Sequence, residues 1–155
     1  MRGVVQTELD KIDKKLLELL QKNAKTPYSK LSKELGVSEA TVHLRIRRLK
    51  EKGVIKAFQA IVDPEKVGKG IVAIIAITAD PRKFNEVLDQ LKNLDDVYEI
   101  YDVTGEYYAI LKIRVGNREE LARLLDKIGS IDGILSTRTM YVLRTIKEET
   151  KIKIS

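Results

Sequence analysis

The 155-residue chain contains no cysteine, which excludes disulfides and thiolate metal sites and leaves nothing that points to secretion. It holds one histidine, His43. A metal centre needs several convergent ligands, so a lone imidazole makes a poor one, and neither metal nor cofactor is expected. Long apolar runs are also missing. The longest, Ile71 to Ile77, is far too short to cross a bilayer, and Met1-Arg2-Gly3-Val4 opens no signal-peptide core. The expectation is a cytoplasmic protein with no membrane partner. There is no glycine-rich phosphate loop, no nucleophile elbow and no His/Cys pair from which to build an activated nucleophile. Carboxylates such as Asp102, Glu106 and Asp126 have nothing to fix them as an acid–base site. An enzyme is therefore not expected.

What the chain does have is 43% hydrophobic and 34% charged residues, a balance that suits packed cores. Its net charge of +6 is unevenly placed. Residues 1–64 hold 14 Lys and Arg against 8 Asp and Glu, and the remainder hold 15 against 15. A basic first part joined to a neutral second part points to a polyanion for one half and another task for the other.

The first half has helical periodicity. Leu9, Ile12, Leu16, Leu17 and Leu20 share one face. Thr26-Pro27 predicts a cap and first position for a second helix, with Tyr28, Leu31 and Leu35 inward and Gly36 ending it. Ser38 predicts the cap of a third helix over 39–52, burying Val42, Ile46 and Leu49 and closed by Gly53. Three helices with a tight turn between the last two make a helix-turn-helix. A strand is expected over Val54 to Val62, and Glu65 to Gly70 reads as the linker.

The second half changes period. Strands are expected over Ile71–Ala79, Val97–Thr104, Tyr107–Val115 and Ser136–Ile146. Helices are expected after Asp80-Pro81 and after Asn117. The order β-α-β-β-α-β is the ferredoxin-like arrangement, so the fold class is α+β. The boundaries are a helix-turn-helix domain at 1–53, a linking strand and hinge at 54–69, and a ferredoxin-like domain at 70–155. Residues 71–77 are apolar on both alternations, so one sheet face packs on the helices and the other needs cover. A second copy of the sheet supplies it most simply, giving a symmetric dimer. The tail, Lys147 to Ser155, is too charged to serve as that lid.

On the third helix, the face opposite the core carries Ala40, Thr41, His43, Leu44, Arg47 and Arg48. Ser38, Ala40 and Thr41 sit close to the backbone, while His43 and Arg47 reach further, Arg47 most naturally to a guanine edge. Arg45, Arg48, Lys50 and Lys52 are placed for phosphate contacts, with Lys30 and Lys33 on the second helix as additional ones. The expected partner is double-stranded DNA. A solvated charged face is the plainer alternative for such a run.

Leu9-Asp10-x-x-Asp13, Leu31 to Gly36, Ser38 with Val42, Arg45, Ile46 and Leu49, and Gly53-Val54-Ile55 resemble the Lrp/AsnC, or feast/famine, regulators. The likeness continues through Asp63-Pro64, Val103-Thr104-Gly105 and the last strand, and heavy use of Lys, Glu and Ile suits an archaeal member. The resemblance implies a homodimer that assembles further and an amino-acid effector bound between C-terminal domains. It places Thr104, Gly105, Glu106, Tyr107, Thr137 and Thr139 in that site, with Asp126 as an added carboxylate. Tyr108 is a departure, since many relatives have Asp there in a Gly-x-Tyr/Phe-Asp pattern. Its effect on effector binding and simple packing at a strand end both stay open, and Glu106 is a candidate replacement acid. A DNA-compacting protein with little sequence preference and no ligand is the alternative function.

Overall fold

A computed structural model describes residues 6–154. The chain divides into two compact units, one formed up to Ala60 together with the tail from Lys147, the other by Ile61–Ile146.

The first unit contains α1 (Lys11–Lys22), α2 (Tyr28–Leu35) and α3 (Glu39–Glu51). Leu16, Leu17, Leu20, Leu31, Val42, Ile46 and Leu49 make its core, as the 3.6-residue spacing requires. Asp10 caps α1 through a capping box. Its carboxylate accepts from the Asp13 amide at 2.7 Å, and the Asp13 carboxylate accepts from the Asp10 amide at 3.3 Å. Gly36 ends α2 with φ of 67°, a left-handed turn that costs glycine nothing and turns the chain toward α3. Ser38 caps α3 by accepting from the Thr41 amide at 3.1 Å.

Thr26 does not cap α2. Its hydroxyl donates back to the Asn23 carbonyl at 2.7 Å, and Pro27 stands at the cap position with no side-chain bond. Nor does Val54 to Val62 form a strand. Residues 56–63 are exposed and carry no strand pairing, because β-branched alternation supplies extended backbone but not a neighbouring strand to bond it. The tail also departs from the expected boundary. Ile154 packs against the helical core. The Gln21 side-chain amide donates to the Ile152 carbonyl at 2.9 Å and accepts from the Ile152 amide at 2.6 Å. The tail therefore belongs with the helices, so the chain crosses between the two units twice.

The second unit is β1 (Ile71–Ala79), α4 (Phe84–Lys92), β2 (Val97–Asp102), β3 (Ala109–Val115), α5 (Arg118–Gly129) and β4 (Ile134–Tyr141). The antiparallel sheet has the order β2-β3-β1-β4, which is the ferredoxin-like topology. Ala73, Ile75, Ile77 and Ala79 of β1 and Ala109, Leu111, Ile113 and Val115 of β3 alternate inward. They form one core with Val87 and Leu91 of α4 and Leu124 and Ile128 of α5. Asn117 caps α5 as expected, its side chain accepting from the Glu120 amide at 2.9 Å. Asp80 caps a turn instead of a helix. It accepts from the Arg82 amide at 2.9 Å, and α4 begins only at Phe84. β4 stops at Tyr141, short of the expected Ile146.

Both helices lie on the Ala73/Ile75 side. The other side carries Ile74 opposite Met140 and Tyr101 opposite Ile110, with Tyr101 and Met140 about half exposed.

Candidate nucleic-acid interface

The third helix, α3, is fixed to α1 by charge as well as by leucines. Asp13 falls on the apolar stripe of α1 with Leu16, Leu17 and Leu20, and its side chain is fully buried. A buried carboxylate needs partners. It accepts from Arg45 Nη1 at 3.0 Å and from Arg48 Nη2 at 2.8 Å. Arg45 Nη1 also meets Asp10 at 2.7 Å. Asp13 of α1 and its cap Asp10 thus hold two arginines of α3. Hydrogen bonding from the Asp13 amide, then from Arg45, keeps the Asp10 carboxyl below its ordinary range, and the same contact raises Arg45.

Arg45 is therefore held within the protein's own ion cluster. Its side chain is only 22% exposed and its Nη1 is committed to acids. Arg48 remains 48% exposed, so beyond its bond to Asp13 it faces solvent. Arg47 is free of the clasp. It pairs with Glu51 at 3.1 Å, with both side chains largely exposed, and an exposed i,i+4 pair of this kind is weak enough to exchange for another partner. His43 is exposed and stands edge-on to the Tyr28 ring at 5.0 Å. Lys50 lies over the Phe58 ring at 5.5 Å. Ser38 and Thr41 share a hydroxyl hydrogen bond of 2.9 Å at the helix start. Ala40 in the first turn and Lys52 at the far end of α3 are exposed, as are Lys30 and Lys33 on α2.

Of the expected effector residues, Thr137 and the connection 104–107 lie toward one end of the sheet, Thr139 pairs with Ile75 at the middle of β1, and Asp126 is on α5. Thr137 of β4 is opposite Ile77 of β1, and the Ile77 carbonyl accepts from the Tyr108 amide at 2.9 Å. The β2–β3 connection, with Gly105 at φ of 108°, extends beyond that row. Thr104, Gly105, Glu106, Thr137, Thr139 and Asp126 are all exposed, and Tyr107 is half-buried. Adjacent strands lie about 4.8 Å apart, so β4 and β3, on either side of β1, are about 10 Å apart. Tyr108 turns inward, its ring 5.3 Å from that of Phe84 against the core. Among the described residues no group of His, Cys, Asp and Glu is arranged to hold a metal ion, and no helix is long and apolar enough to cross a membrane.

The AsnC-type helix-turn-helix domain matches residues 9–50, and the Lrp/AsnC ligand binding domain matches residues 72–152. The chain belongs to the Lrp/AsnC family. It is 46% identical over 154 residues to the HTH-type transcriptional regulator FL11 of Pyrococcus furiosus, covering 99% of each chain. It superposes on E. coli AsnC with a TM-score of 0.90 at 33% identity, covering 96% of this chain and 100% of that one. A Neisseria meningitidis transcriptional regulator in complex with L-Met has a TM-score of 0.87, covering 94% of this chain and 96% of that one. At 24% identity it shows a shared fold. This Lrp/AsnC protein is thus a transcriptional regulator with a DNA-binding helix-turn-helix and a ligand-binding domain, and its relatives are regulators, not enzymes.

The clasp was not foreseen from sequence, although its signal is present. Asp13, Leu16, Leu17 and Leu20 share one stripe, which puts an acid where a leucine would be expected.

Two outcomes follow from the clasp. Asp13→Ala is expected to destabilise the protein by about 2–3 kcal/mol in denaturant titration, below the range for a fully buried pair because both arginines keep access to water. Asp10→Asn preserves the cap while removing the charge. A carboxyl with a depressed folded pKa contributes stability above its unfolded value, and loses it as pH falls through the folded one. The wild-type advantage over Asp10→Asn in thermal melts should therefore be complete near neutrality and shrink below about pH 4.

Proposed function

We propose that the protein regulates transcription by binding specific, pseudo-palindromic DNA as a dimer or higher oligomer, and that an amino acid modulates this. The observation that carries the DNA reading is the presentation of α3. Its inward face is fixed by leucines and the Asp13 clasp, which leaves Arg47, His43, Thr41 and Ala40 outward on a basic unit. Helices held in this way insert their first turns into the major groove, and a symmetric pair reads half-sites about 34–36 Å apart. In this reading Arg47 exchanges Glu51 for a guanine edge, His43 contacts a neighbouring base, and Ser38 and Thr41 approach the backbone. Arg48, Lys50 and Lys52 meet phosphates. Arg45 acts by holding α3 in place.

The half-exposed sheet face, with Tyr101, Met140, Ile74 and Ile110, supports pairing with a second copy, since an apolar face of that kind is stabilised by cover. The exposed hairpin 104–107 with Thr137 and Thr139 then offers an amide- and hydroxyl-rich rim with Glu106 and Asp126 as acids. A zwitterion needs such groups, a carboxylate for its ammonium and donors for its carboxylate. The ligand-binding description of this domain and the L-Met complex of the Neisseria protein of the same fold make amino acids the class to test. The effector would act by favouring one assembly, and so the number of reading heads that engage together.

Arg47→Ala is expected to lower the preference for a selected duplex over random DNA by about 1–3 kcal/mol in competition binding. Lys50→Ala should weaken both duplexes alike. Equal behaviour of the two variants would contradict the division of roles. Calorimetric titration with each of the twenty amino acids should give saturable heat with one or a few, abolished by Glu106→Ala. Silence across the panel would remove the amino-acid response and favour a DNA-compacting role.

A further inference from the structure

The helix α3 exposes one large apolar side chain. Leu44 is 65% exposed and takes no part in the helical core. A single exposed leucine is unremarkable on most surfaces, but the position of this one is specific. At about 100° per residue, the centre of the face opposite Val42, Ile46 and Leu49 falls at residue 44. Ala40 and Thr41 lie one turn before it on the same face, and Arg47 and Arg48 one turn after. The most outward point of the helix is therefore apolar and sits between small residues and cations. Water and phosphate offer such a group nothing. In the major groove one base presents an apolar group to a side chain, the C5 methyl of thymine.

We infer that Leu44 is a specificity-determining residue that packs on a thymine methyl, with Ala40 leaving room for the base edge to approach. The inference rests on the DNA-reading role proposed above for α3. Leu44 has a short, stiff side chain beside the long Arg47. Its contact requires α3 to lie deep in the groove, with its first turns nearest the bases. Arg47 and Leu44 then read adjacent positions through different physics, one by hydrogen bonding and the other by excluding water from a methyl group.

The test uses the full chain and the tightest duplex recovered by selection from a randomised pool, with each thymine replaced in turn by deoxyuridine. This change removes the methyl and leaves base pairing and groove hydrogen bonding intact. Wild-type protein should lose about fourfold in affinity at one thymine per half-site, and about fifteenfold when both are replaced. Leu44→Ala should bind the unmodified duplex more weakly and become indifferent to deoxyuridine at those positions alone. Because the side chain is exposed, its melting temperature should match wild type. Three results would overturn the inference: no deoxyuridine-sensitive position, equal sensitivity in Leu44→Ala, or a change of oligomer mass in Leu44→Ala by light scattering. The last would make the residue an interface contact. If selection enriches no duplex over the pool, sequence-specific reading itself fails and Leu44 reads nothing. An enriched duplex with no methyl effect removes the leucine's role alone.

Discussion

A carboxylate buried among leucines has to be neutralised or paired, and the DNA-binding unit is organised around that requirement. Asp13 sits in the apolar stripe of α1, where it costs free energy unless cations come to it. Arg45 and Arg48 do so from α3, and Asp10 adds a second acid while capping the same helix. Leucine contacts alone tolerate sliding and rotation of one helix on another. A hydrogen-bonded ion cluster has fewer acceptable geometries, so it fixes the rotation of α3 about its own axis. That rotation decides which side chains point outward. If α3 turned by one residue, Leu44 and Arg47 would leave the outer face together.

The same cluster gives the arginines unequal surroundings. Four cations lie between positions 45 and 50 of α3, and composition treats them as equal. Their surroundings do not. Arg45 is held by two acids, Arg48 is half-held, Arg47 rests on an exposed glutamate, and Lys50 covers an aromatic ring. Only loosely held groups are available to a polyanion at small cost, so the outward order of availability runs from Arg45, the least, to Arg47 and Lys50. In the second unit the constraint is of another kind. Both helices cover one sheet face, and the opposite face is left with tyrosine, methionine and isoleucine beside lysine and arginine.

Local signals carried much of this fold. The cap of α3 by Ser38, the glycine turn at Gly36 and the cap of α5 by Asn117 depend on neighbours within four residues, and all were legible. β1 over Ile71–Ala79 was legible from its apolar run, although its partners β3 and β4 are distant in the chain. Misreadings arose where the deciding partner is distant or absent from the chain. Val54 to Val62 has the side chains of a strand without a strand beside it. Thr26 had two acceptable hydrogen bonds, and the Asn23 carbonyl took it from the helix start. The charged tail concealed Ile152 and Ile154, one hydrogen-bonded to Gln21 and the other packed on the helices. At the interface the outward residues of α3 followed from periodicity, but the confinement of Arg45 did not, because it depends on acids more than thirty residues earlier in the chain.

Whether α3 reads base sequence from a basic platform is decided by measuring affinity for a selected duplex and a random duplex across a salt series. Both affinities should fall steeply as salt rises, since phosphate contacts release counterions in each complex. The selected duplex should stay tighter by about a thousandfold or more throughout, the gap that base contacts provide. Parallel loss with no gap at any salt concentration would contradict sequence reading, and binding insensitive to salt would contradict the basic platform itself.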